Sequence, residues 1–364
     1  MLTVTMYDEH LQHRGQILSP KVQAVMRKNQ PDTFVIDVVG EALKTANRIM
    51  PGWWLTARDG DIEISGPVTA FHRTAKGSEL TLEITVTSAL CLIADRITYP
   101  DPAHAENAQE TARYTRSGPG ESIIKELVNL NTGAGAIHAR RISTLDIAED
   151  RRRGGTVQVD TRLKNLLETA RPLADTAGLI MRCGLKDRRI VFETEPVRDL
   201  SRRVRLSYMT GEVAGWEMED TVGTATAVVV GGQGEGADRK LTSVVAGDHW
   251  NRRIELFKDR RDTDDAAALE KSAHDELAKG ATTRTLKVTL NESPARRFGD
   301  DFRIGDTITL DLAAGATPYT APVVEAKITW ESQARTVELT VGDLERTNAR
   351  FEKVRRDLAQ LSTI

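Results

Sequence analysis

The sequence predicts a β-rich α+β protein in which two similar β modules flank an inserted α+β domain and a charged amphipathic helix ends the chain. Three observations carry this reading. Alternating apolar and polar residues dominate both ends of the chain, which is the period of a half-buried strand. Apolar residues at helical spacing gather in the middle. Residues 53–86, moved on by 255 positions, match residues 308–341 without a gap, and nine of the 34 aligned pairs are identical. A length of 364 residues gives room for two or three domains.

The first β module spans residues 1–103. Residues 1–13 read as a short strand and residues 34–39 as a compact one. Strands at 53–56, 61–65, 68–73 and 80–88 follow, separated by turn chemistry at Asp59-Gly60 and Gly77-Ser78. In the last of them Leu80, Leu82, Ile84 and Val86 face one way and Thr81, Glu83, Thr85 and Thr87 the other. Residues 42–49 read as one short helix. Pro100 and Pro102 disfavour further pairing.

The inserted domain spans residues 104–200. A helix opens at Pro119-Gly120-Glu121, with Ile123, Ile124, Leu127 and Val128 on one face, and Gly133 stops it. Asp160 or Thr161 is expected to cap a second helix carrying Leu163, Leu166, Leu167 and Ala170. Strands at 178–183 and 189–193 close the domain. Residues 201–262 read as connecting strands, including 222–230, around a glycine-rich loop. The second β module, 263–342, holds an acid-capped helix from Thr263 or Asp264 to Lys279 and strands at 286–290, 307–312, 322–330 and 336–341. Residues 343–364 place Leu344, Phe351, Val354, Leu358 and Leu361 on one helical seam. That seam needs a partner, either the chain's own β module, further copies meeting on a shared axis, or another protein that docks on it.

Composition narrows the function classes. Fifty basic and 53 acidic residues leave a formal charge of −3, against a general polyanion-coating role. Two cysteines, Cys91 and Cys183, support neither a disulfide framework nor a four-thiolate zinc site, and read as buried filler. Residues 1–13 lack the pattern of a signal peptide, and the longest apolar run, 89–94, is too short to span a bilayer. A soluble chain with no stable membrane insertion is expected.

Chemical motifs are sparse. Gly232-x-Gly234-x-Gly236 follows a strand, but a further strand rather than a helix comes next, so the loop lacks the βαβ context of a dinucleotide site. Gln233 and Glu235 remain candidate loop contacts. The scattered histidines form no metal-binding motif, and no nucleophile elbow or singled-out carboxylate pair occurs. Neither metal nor cofactor is expected, and the chain reads as no enzyme. Arg151, Arg152 and Arg153 form a basic run, either a solvated loop or a contact for phosphate or an acidic partner. Trp53 and Trp54 are adjacent on a strand, so one ring faces the core and the other is an interface anchor or packs on a neighbouring element.

Three landmarks carry a family resemblance: residues 96–101 from Arg96 to Asp101, residues 231–239 from Gly231 to Arg239, and residues 301–308 from Asp301 to Ile308. In these the chain resembles minor tail proteins, the tail hub or baseplate hub proteins, of long-tailed actinobacterial phages (siphoviruses). The resemblance covers most of residues 30–342. It implies two tube-like β-barrel modules per chain and a homotrimer forming a pseudo-six-fold ring under a hexameric tail. The implied partners are further copies of the chain, a distal tail or tail tube protein, the tape measure protein, and a tip spike or fibre. DNA would pass the lumen during ejection without specific binding. The implied location is the virion tail tip, after assembly in the bacterial cytoplasm. A ring of six modules from three chains also follows from the internal repeat, because duplication lets a three-fold object meet a six-fold one. A tail-tip cell-wall hydrolase and a β-barrel single-strand nucleic-acid binder are the alternatives; the second needs a basic groove with stacking aromatics, and aromatic residues are 5%.

Overall fold

The computed structural model describes residues 2–18, 21–77, 79–246, 252–293, 296–313, 317–332 and 334–342. The chain forms two compact units: one takes Met1–Trp216 and Val288–Thr340, the other Glu217–Lys287 and Val341.

The first module holds β1 (Thr3–Tyr7), β2 (His13–Ile17), β3 (Lys21–Arg27), β4 (Thr33–Val39), α1 (Ala42–Ala46), β5 (Trp54–Asp59), β6 (Ile62–Lys76) and β7 (Glu79–Thr87). The single N-terminal strand expected is a hairpin, because Asp8 folds the chain back. Its Oδ1 accepts the N–H groups of His10 and Gln12, each at 2.9 Å. The two strands expected at 61–65 and 68–73 are one long strand, β6. Gly66 keeps it continuous where it crosses the end of β7, since a Cβ there would lie 1.9 Å from the Thr87 carbonyl oxygen.

The insert holds α2 (Cys91–Ala94), β8 (Tyr114–Pro119), α3 (Gly120–Thr132), β9 (Leu145–Ile147), β10 (Thr156–Thr161), α4 (Leu166–Ala177), β11 (Leu179–Lys186) and β12 (Arg189–Pro196). Asp160 and Thr161 do not cap α4; they end β10, which pairs with β8. Asn165 caps α4, its Oδ1 accepting the Glu168 N–H at 3.1 Å. Gly178, at φ 68°, closes the helix in the left-handed conformation. The apolar faces of α3 and α4, with Leu127 and Leu166 fully buried, pack with Phe192 and with Trp54 of the first module.

β13 (Arg205–Ser207) and β14 (Val213–Thr221) lead onward. In the second unit β15 (Ala227–Gly231) lies between β16 (Leu241–Val245) and β17 (Glu255–Asp259), and α5 (Ala266–Lys279) covers one face. Leu269 and Ala273 of α5 pack on Val228 and Val230. α5 therefore belongs to this unit, not to the second β module.

The second module holds β18 (Thr283–Leu290), β19 (Thr307–Asp311), β20 (Tyr319–Glu331) and β21 (Ala334–Gly342). Moved on by 255 positions, β7 falls on β21 residue for residue, and the β6–β7 hairpin falls on β20–β21. Likewise β5 pairs antiparallel with β6 as β19 does with β20.

In the first unit the modules share one sheet. β20 pairs antiparallel with β3 over seven residues, from Glu325 opposite Arg27 to Glu331 opposite Lys21. The order then runs β20-β3-β4-β7-β6-β5-β1-β2. This path is open, and no barrel closes among the described residues, which corrects the expected β-barrel modules. One face of the sheet is core: Trp330, Val22, Ile36 and Ile84 align across four strands, and Ile328, Ala24, Phe34 and Val86 form the next row.

Candidate functional site

The opposite face of this sheet is polar, and strand pairing fixes its rows. One row reads Glu331, Lys21, Asp37, Glu83, His72; the next reads Thr329, Gln23, Val35, Thr85, Ala70; a third reads Lys327, Val25, Thr33, Thr87. Alternation along each strand requires this once the other face is core. Each row crosses from the second module into the first without a break. Small neutral side chains fill the middle row. The charged positions favour acid: Asp37, Glu83, Glu331 and Glu338 against Lys21 and Lys327. Lys327 lies 3.8 Å from Glu338, and Arg27 pairs with Glu325 at 2.8 Å across the seam.

A buried carboxylate locks the modules behind that face. Asp59 of β5 is 2% exposed. Its Oδ2 accepts the Trp330 indole N–H at 2.9 Å, and the Arg335 and Arg297 guanidiniums at 3.1 and 2.9 Å. All three donors come from the second module. Burial alone would push the Asp59 carboxyl up; the Trp330 hydrogen bond and the two guanidiniums outweigh it and hold its pKa at about 2.

Residues 3–343 match the siphovirus ReqiPepy6 Gp37-like protein family. The chain belongs to that family. No curated protein matches it in sequence. Its fold is similar to that of the 43 kDa tail protein of prophage MuSo2 from Shewanella oneidensis, at a TM-score of 0.61 and 12% identity over 93% of this chain and 98% of that one. It is also similar to a tail protein from Neisseria meningitidis MC58 (TM-score 0.60, 12% identity, 94% and 96% covered). Prophage tail protein gp18 from Listeria monocytogenes EGD-e matches at 0.55 and 14% identity, covering 100% of this chain and 99% of its own. At these identities the likeness is one of fold.

The residues singled out from sequence are dispersed over this Gp37-like fold. Trp54 is 6% exposed in the core, while Trp53 is half-buried and ties β5 to β6 through its carbonyl, which accepts the Val68 N–H at 2.9 Å. Arg151 and Arg152 are exposed. Arg153 is internal in role: its Nε lies 2.9 Å from Oε2 of Glu121, a carboxylate 0% exposed that also pairs with Lys125 at 2.7 Å. The Arg153 guanidinium beside Glu121, with Lys125 adding to it, holds that carboxyl far below the usual range. Gln233 and Glu235 are exposed in the loop between β15 and β16, which Arg239 ties through the Gly231 and Gly232 carbonyls, both at 3.0 Å. The helix expected at 343–364, with Leu344, Phe351, Val354, Leu358 and Leu361, lies outside the described residues.

Two further clusters emerge. A cleft of about 420 Å3 is lined by Asp32, Glu63, Arg182, Glu195, Arg198 and Arg303, among others. Glu195 pairs there with Arg182 at 3.0 Å and with Arg303 at 2.7 Å. Asp101, His104 and Glu110 bring three potential ligand atoms within 4.8 Å of one another, His104 Nδ1 lying 2.8 Å from Asp101. Neither thiol is poised for attack. Burial pushes Cys91 up to about 12 and Cys183 up as well. No described helix is long and apolar enough to cross a membrane.

Sequence reading missed β3, the strand on which the seam depends. Its signal was present, since Val22, Ala24 and Met26 alternate with Lys21, Gln23 and Arg27. The Asp59 lock had none, because its partners lie more than 230 positions away.

Proposed function

We propose that the chain is a structural tail hub protein of a siphovirus. Three copies form a ring of six β modules, two from each chain, between the hexameric tail and the tip. The polar sheet face lines the conduit for DNA, while the distal tail or tube protein, the tape measure protein and a tip spike or fibre meet the ring. The observation that carries this reading is the β3–β20 pairing, which fuses two repeats of one module into a single sheet. A duplicated module in one continuous sheet is what a three-chain ring with six-fold mimicry needs. The acid-leaning, threonine-rich face supports the conduit role, since it offers phosphate few cationic contacts. The fold shared with three prophage and bacterial tail proteins supports the tail location.

Native mass spectrometry of the purified protein tests the stoichiometry, with a peptidoglycan zymogram alongside. A trimer with no clearing of the gel is expected. A monomer at every concentration, or cell-wall cleavage by the pure chain, would overturn the reading.

A further inference from the structure

The seam inside the chain has a counterpart that lacks its partner strand. In β20, residues Ala326, Ile328 and Trp330 are buried because β3 lies beside them. The repeat-equivalent residues of β6 are Phe71, Arg73 and Ala75, and of these Arg73 and Ala75 are exposed. The difference is the neighbour: β5 accompanies β6 only along Ile62–Pro67. Among the described residues no strand lies beside positions 69–76 on that side, so a row of backbone N–H and C=O groups is open there. Among the described residues β14 has a strand neighbour, β18, on one side alone, and its Ala214, Trp216, Glu217 and Asp220 are exposed. Trp216 alone is 44% exposed.

The two open edges carry opposite charge. Positions 69–76 hold His72, Arg73 and Lys76 and no acid. Positions 213–221 hold Glu217, Glu219 and Asp220 and no base. On β14 two of these acids also face β18, Asp220 through Arg284 and Glu217 through Lys287 at 3.9 Å.

We infer that the basic edge of β6 pairs, strand to strand, with the acidic edge of β14 in a neighbouring copy of this chain. This rests on the ring reading above and names its contact. Main-chain hydrogen bonds would supply the affinity, as in other strand additions, and the charge match would exclude like edges. The new seam would repeat between chains what β20 and β3 do within one. Each copy has one edge of each kind, so the contact is head-to-tail and closes only as a ring.

Charge reversal with rescue tests it, using the full chain and native mass spectrometry at low salt. Arg73→Glu with Lys76→Glu should weaken the trimer at least tenfold, and so should Glu217→Lys with Glu219→Lys. The four substitutions together should restore it, because the charges then match again in the opposite sense. Arg73, Lys76 and Glu217 are exposed and Glu219 is half-buried, and unchanged circular dichroism and melting verify folding. If wild type is a trimer and the double variants are equally trimeric, the edges are merely guarded by charge against aggregation; the proposed seam is then wrong while the hub reading stands. If the double variants weaken but the quadruple one is not restored, the two edges do not face each other. A wild-type chain that never associates removes both seam and ring.

Discussion

Two carboxylates of the first module respond to pH in opposite senses, and each reports a different part of the fold. Asp59, with its pKa held at about 2, stabilises the native state fully above the unfolded value near 4 and loses that contribution as pH falls towards 2. The effect is about 2 kcal/mol. Asp59→Asn keeps the shape but leaves the Arg297 and Arg335 charges uncompensated, so a loss of about 3 kcal/mol is expected in urea unfolding at pH 7. Asp32 works the other way. Although the residue keeps some contact with solvent, packing pushes its carboxyl up to about 6, above the Arg27 N–H and guanidinium effects that oppose it. The native state thus holds a proton that the unfolded chain releases, and stability falls as pH rises from 4 to 6. Asp32→Asn should flatten that slope and leave the protein at least as stable above pH 6. Thermal melts across pH 4–8 check it; an unchanged slope in the variant would assign the pH dependence elsewhere.

Among the elements, those with strong local signals were legible and those defined by partners were not. α3 spans Gly120–Thr132, as its Pro-Gly start and the glycine stop at Gly133 indicate, and α5 ends at Lys279 as read, though Asp265 rather than Thr263 or Asp264 caps it. β7 and β21 were visible because threonine and apolar residues alternate cleanly, and the repeat that relates them could be read at 255 positions' separation. β3 was missed because Val25, an apolar residue on the polar face, interrupts an otherwise regular alternation, and its pairing partners, Trp330 and Ile328 among them, come from the far end of the chain. Local spacing also misplaced the start of α4. Leu163 fits the helical period, but the Asn165 side chain accepts the free Glu168 N–H and the helix starts at Leu166, three residues later. Asn165→Ala should cost about 1 kcal/mol for the lost cap, and more for its Nδ2 bond to the Ala94 carbonyl at 2.6 Å. Chemical denaturation checks this, and a change under about 0.3 kcal/mol would show that the cap is dispensable. The candidate surface was the least legible part. Its polar face is assembled from side chains that mean little one at a time, and the loop arginine Arg153 turned out to serve the buried Glu121.

At the scale of the whole molecule the sheet is the unit on which the proposed hub role rests: its core face holds two modules together, and in that role its polar face would meet DNA in transit. Asp37→Lys, Glu83→Lys and Glu331→Lys would turn a row with three acids and one lysine into a basic track. Double-stranded DNA affinity at 50 mM salt should then rise at least tenfold over wild type and collapse at 200 mM, as counterion release requires. Fluorescence anisotropy reads it, and an assembled variant with wild-type affinity would mean that DNA does not reach this face. The central claim, that one chain supplies two of six related modules around a conduit, is tested most directly by a cryo-electron microscopy reconstruction of the purified assembly. The account predicts three chains with three-fold symmetry, a pseudo-six-fold inner wall, and Gln23, Thr85 and Thr329 turned towards the lumen. Six chains in a true six-fold ring, or a lumen walled by the other side of the sheet, would contradict it.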